Sequence, residues 1–263
     1  MALWDKIKQR LGGAKPASAW AVRDIVAPSG PLLVAEQAFC QQYNELATEP
    51  AFELCLEQAE AGIRAAQYFT GLFFDSGNAG LQDFVRARDF YYRAALQDSP
   101  EAQYNLATLL MMGRGGDQDL AQAFAWYQCA AENGIAQAQF NCGSMLDEGY
   151  GVKAEPGQAR HWYQAAARQG YPQACQNMAA SCYEANEFTE SYAWAMLAAA
   201  GKVDGADQLL SLLAEQLSRE DINAAKQCGD EYFALYAPEL RRQEGGVASF
   251  DPNATEVVNT TLL

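Results

Sequence analysis

The sequence is poor in the residues that run reactions. It holds one histidine, His161, so no second imidazole is available to share a metal. Seven cysteines (Cys40, Cys55, Cys129, Cys142, Cys175, Cys182 and Cys228) are scattered without a C-x-x-C. Zinc and dithiol chemistry therefore lack spacing support. The odd count and irregular spacing fit a reducing compartment, which we take as the cytoplasm. There is no S-x-x-K. Gly113-Arg114-Gly115-Gly116 lacks the Lys-Ser/Thr that a phosphate-cradling loop needs. These gaps give the expectation of no catalytic residue, no metal and no cofactor.

Positive charge is also scarce. Eighteen Lys and Arg stand against 33 Asp and Glu, a net charge of −15. Phosphate backbones need basic patches, so nucleic acid is excluded as a partner. No apolar run is long enough to span a bilayer. The basic residues that exist are concentrated at the start. Lys6, Lys8, Arg10 and Lys15 face only Asp5 within residues 1–15. Leu3, Trp4, Ile7 and Leu11 fall on one face of a short helix there. That face is a candidate for membrane or partner docking, or for lying back on the acidic remainder of the chain. An isolated helix this short is marginal.

What the chain does have is a repeat. Ala66, Ala102, Ala138 and Ala174 fall at a step of thirty-six residues. So do Gly77, Gly113 and Gly149, and Phe90, Trp126 and Trp162. A fixed period of this length signals a stacked array. Each unit reads as two helices. Ala102, Leu106, Leu109 and Leu110, matched by Ala138, Cys142, Met145 and Leu146, give the first helix a buried stripe. Gly113 or Gly149 follows, where positive φ costs little. Asp83, Asp119 and Glu155 precede the second helix and suit its free N–H groups. The second helix carries Ala123, Trp126, Tyr127, Ala130 and Ala131, matched by Ala159, Trp162, Tyr163, Ala166 and Ala167. The paired alanines permit close approach, and the Trp–Tyr pair is expected to fill the gap between hairpins.

The pattern A-x-x-x-L-G, G-x-G-V, D-x-x-x-A-x-x-W-Y-x-x-A-A-x-x-G appears at Ala138, Cys142, Gly143, Gly149, Gly151, Val152, Glu155, Ala159, Trp162, Tyr163, Ala166, Ala167 and Gly170. The chain thereby resembles the Sel1-like repeat family, relatives of the tetratricopeptide repeats. The resemblance implies an all-α fold, a right-handed α/α superhelix (a solenoid) of helical hairpins with a capping helix pair at the C-terminal end. It also implies a concave groove that binds other proteins. The expected organisation is a basic amphipathic segment and linker over 1–31 and a solenoid over 32–236. The solenoid divides into a degenerate hairpin 32–65, repeats 66–101, 102–137, 138–173 and 174–205, and a cap 206–236. A flexible tail follows over 237–263. Ser218 and Asp221 form an expected capping box at the last helix.

Two polar registers are candidates for partner contact. Asn105, Asn141 and Asn177 share one step, and Gln67, Gln103 and Gln139 another. First helices line the concave face in such superhelices, and an amide both donates and accepts. The same asparagines serve equally to bond one hairpin to the next. The expected function is a non-catalytic adaptor, monomeric, for a protein or peptide, with a basic partner favoured by the charge. The alternatives are a hydrolase of a cell-wall or β-lactam-like substrate and a peripheral membrane adaptor using the N-terminal helix. The first alternative needs a nucleophile, base or metal constellation, and the residues supply none.

Overall fold

A computed structural model describes residues 36, 38–39, 42–43, 48–77 and 82–236. Among these the regular structure is helical, with no strand. The expected segments 1–31 and 237–263, and with them Leu3, Trp4, Ile7 and Leu11, lie outside the described residues. No described helix is long and apolar enough to cross a membrane.

The chain divides into two compact units, Met1–Ala154 and Glu155–Leu263. Unit 1 contains α1 (Thr48–Glu60), α2 (Arg64–Ser76), α3 (Phe84–Ala95), α4 (Pro100–Met112), α5 (Leu120–Glu132) and α6 (Ala136–Glu148). Unit 2 contains α7 (Pro156–Ala167), α8 (Pro172–Glu184), α9 (Phe188–Ala200), α10 (Ala206–Gln216) and α11 (Arg219–Tyr236).

In unit 1 each helix packs on the next. Small residues let them approach. Gly71 on α2 sits under Tyr91 of α3, where an added Cβ would meet the ring at 2.6 Å. Ala107, in the same register, is fully buried on α4. The hairpin α4–α5 shows how the glycine link works. Gly113 closes α4 in the left-handed region, and Asp119 caps α5 by accepting from the Gln122 amide at 2.9 Å. Between them Gly115 lies against the start of α3, and a Cβ there would stand 2.2 Å from the Phe84 carbonyl oxygen. The second link glycine is therefore a stacking contact. Glu155 departs from the pattern. It makes no side-chain cap to α7, since its longer side chain does not hold the short cap geometry of Asp.

Charge ties Glu36 to the start of α2. Glu36 is buried and receives both Arg64 Nε at 2.9 Å and Nη2 at 3.0 Å. It also accepts from the Ala65 amide at 3.2 Å, satisfying a free donor at the start of α2. Glu36 is thus an interior clamp.

In the second helices the two members of the Trp–Tyr pair sit at different depths. Tyr127 and Tyr163 are buried beside Ala123, Ala130, Ala159 and Ala166. Trp126 and Trp162 are only half-buried. Trp126 meets Tyr92 edge-on, ring centres 6.1 Å apart. On a helix, Ala123, Tyr127 and Ala130 at i, i+4 and i+7 share one stripe, and Trp126 sits at its margin.

Unit 2 ends differently. α8 and α9 are joined by Ala185–Glu187 alone, with Asn186 at φ 60°. α11 packs on α9 and covers Trp194, which is 3% exposed. Tyr232 packs tilted against that indole at 4.5 Å, and Tyr236 stacks on it at 6.1 Å. The Ser218–Asp221 box forms: the Asp221 amide donates to Ser218 Oγ at 3.1 Å, and the Ser218 amide donates to Asp221 Oδ2 at 3.4 Å.

Candidate functional site

The glutamine register is consumed by the fold. Gln67, Gln103 and Gln139 are buried. Each Nε2 donates to a carbonyl near the end of the preceding helix: Ala59 at 3.2 Å, Ala95 at 3.3 Å and Ala131 at 3.1 Å. Gln97 donates to Gln67 Oε1 at 2.7 Å, and Asn133 to Gln103 Oε1 at 3.4 Å. These amides staple each hairpin to the next by satisfying helix-end carbonyls that would otherwise lack partners. We correct the partner-binding expectation for the three glutamines on that ground.

The asparagines lie elsewhere. Asn105 and Asn141 are half-buried on α4 and α6, and Asn177 is half-buried on α8 in unit 2. Asn105 interacts with the hydroxyls of Tyr68 and Tyr91. Asn141 interacts with those of Tyr104 and Tyr127. Burial raises the pKa of all four tyrosines, and the asparagine hydrogen bonds pull the other way. The phenols stay protonated and serve as fixed polar partners. Tyr91 Oη donates to Asp75 Oδ2 at 3.2 Å, and Tyr127 Oη lies 2.9 Å from Thr108 Oγ1.

The solvent-facing stripe of α4 is therefore Tyr104, Asn105, Thr108 and Met111. On α6 the matching residues are Phe140, Asn141, Ser144 and Asp147. Each helix offers an aromatic ring, an amide and a hydroxyl in the same order. Sequence reasoning found the asparagines but missed Tyr104 and Phe140. Their thirty-six-residue step beside the asparagines was the available signal.

Among the described residues the buried thiols are not poised as nucleophiles. Burial pushes the Cys142 and Cys175 thiols up to about 12. His161 is exposed on α7, its ring 5.8 Å from that of Trp162. Among the described residues, Cys182, Glu187 and Glu190 come close enough together for a metal ion. Arg160 already fills that role as a cation, donating to Glu187 Oε2 at 2.5 Å and to Cys182 Sγ at 3.4 Å. Burial raises the Cys182 thiol to about 12.

The Sel1 repeat family model matches residues 64–99, 100–135 and 136–171. Residues 64–171 are three Sel1 repeats. The matched repeats begin two residues before the frame read from the alanines, so that each opens on the first residue of its first helix. The chain is similar to the crystal structure of a protective antigen of uropathogenic Escherichia coli with an SLR fold, at 25% identity and a TM-score of 0.70. That match covers 87% of this chain and 50% of the antigen, so the chain spans half the antigen's length. It is also similar to a Sel1 repeat protein from Oxalobacter formigenes, at 25% identity and a TM-score of 0.60, covering 74% of this chain and 84% of that one. Among curated proteins none matches the sequence significantly. Sel1 repeats generally mediate protein–protein interactions, and the family is typically a non-enzymatic scaffold.

Proposed function

We propose that the chain is a non-catalytic adaptor whose α4–α6 face holds an extended segment of a protein partner. The observation that carries this is the repetition of ring, amide and hydroxyl at one step: Tyr104, Asn105 and Thr108, then Phe140, Asn141 and Ser144. An extended peptide presents backbone N–H and C=O groups that an amide can meet in both senses. Aromatic rings supply contact area at low entropic cost. The net charge of −15 favours a basic partner. We take the protein to act as a monomer in a reducing compartment such as the cytoplasm, in keeping with the odd count and irregular spacing of its cysteines.

The test is selection of random displayed peptides on the immobilised full chain, followed by affinity measurement on Asn105→Ser/Asn141→Ser. Each serine keeps a small polar group but loses the two-sided amide. The variant should bind the selected peptides about tenfold or more weakly, the loss of one or two hydrogen bonds, while still folding, with a thermal midpoint lowered by the bonds it loses to the tyrosine hydroxyls. Equal affinity in the variant sinks the reading.

A further inference from the structure

Unit 1 carries a second feature, away from the α4–α6 face and independent of the reading above. A groove of about 810 Å³ runs between α1 and α3. Its floor includes Phe74 and Phe90, stacked at 5.9 Å, with half-buried Leu56 at the side. Its α1 wall is acidic. Glu53, Glu57 and Glu60 repeat at i, i+4 and i+7 around Leu56. The α3 wall is mixed, with Asp89 between Arg86 and Arg93.

The charges within the groove do not balance. Arg93 is shared between Asp89 at 2.8 Å and Glu60 at 3.4 Å. Arg86 lies over Phe74 and pairs with Asp83 at 3.5 Å. Among the described residues no cation meets Glu53 or Glu57. The wall therefore keeps two carboxylates beside an apolar edge, a surface suited to a basic amphipathic helix.

This chain contains one such sequence. Residues 1–12 combine Leu3, Trp4, Ile7 and Leu11 with Lys6, Lys8 and Arg10. The other stretches of net positive charge, α3 with Arg86, Arg88 and Arg93 against Asp89, and α7 with Arg160 and the adjoining Arg168, are already packed in the fold. Residues 13–35 extend to at most about 75 Å at about 3.3 Å each, while α1 is only about 20 Å long. The tether reaches the groove easily. Covalent linkage raises the local concentration to the millimolar range, so even a weak contact is populated. We propose that the α1–α3 groove is the docking site of the chain's own residues 1–12. The basic side chains answer Glu53 and Glu57, and the apolar face covers Leu56 and the aromatic floor.

Hydrogen exchange on the full chain tests this. Residues 1–12 should be protected about tenfold or more over a free chain at low salt, and less at high salt. Glu53→Lys/Glu57→Lys should abolish the protection, and adding Lys6→Glu/Lys8→Glu should restore it. Lys6→Glu/Lys8→Glu alone, outside the described fold, should also lose it, which keeps the test valid if the groove variant folds poorly. Four results overturn the proposal. They are no protection in the natural chain, protection indifferent to Glu53→Lys/Glu57→Lys, protection that fades on dilution and so comes from a second copy, and protection that appears only with anionic vesicles.

Discussion

The hairpins α4–α5 and α8–α9 follow the same plan with different means. In α4–α5 the link is long and glycine-rich, an aspartate caps the second helix, and the tryptophan stays half-buried beside its neighbour's Tyr92. In α8–α9 the link is three residues, no side chain caps α9, and the tryptophan is buried under Tyr232 and Tyr236. Tyrosine changes place as well. Tyr127 keeps its hydroxyl against Thr108, whereas Tyr192 buries a hydroxyl with no partner. An inner repeat is stabilised through its link and its polar staples. Hairpin α8–α9 relies on the aromatic cover that α11 supplies.

The largest effect should separate the two tryptophans. Trp194→Ala should cost about 3–5 kcal/mol, the range for a buried aromatic, and Trp126→Ala about 1–2 kcal/mol for a half-buried one. Urea denaturation of each variant measures the difference, and equal losses would break the comparison. Next come the links. Gly115→Ala should cost about 3 kcal/mol, because its positive φ and the Phe84 carbonyl both oppose a Cβ. Asn186→Ala should cost about 1 kcal/mol, since that link faces only the left-handed penalty. Smallest are the hydroxyls. Tyr127→Phe should lose about 1 kcal/mol, and Tyr192→Phe should be neutral or slightly stabilising, because it removes a buried group that bonds to nothing. A larger loss at Tyr192 than at Tyr127 would reverse the assignment of roles.

The helices and their links were legible because alanine, glycine and aromatic residues recur at one step, and each has a local geometric duty. The direction of the second helix was legible in Ala123, Tyr127 and Ala130, yet the adjacent Trp126 masked it by its size. The glutamines misled because polarity was read as exposure. Gln103 stands next to Ala102 on the packed side of α4, and its partner carbonyl at Ala95 belongs to the preceding helix. No single-helix pattern reports such a bond. Glu36 was opaque for a similar reason. Its partner Arg64 is 28 residues away, across a hairpin too degenerate to align. On the candidate surface, Asn105 and Asn141 were found as a ladder. Their tyrosine partners depend on how neighbouring hairpins stack, which spacing alone does not fix.

The most direct measurement is the hydrogen-exchange footprint of a selected peptide on the full chain. The account predicts slowed exchange, or matching side-chain shifts, centred on Tyr104, Asn105, Thr108, Phe140, Asn141 and Ser144. A footprint confined to the outward faces of α3 and α5, with those six residues unchanged, would contradict it.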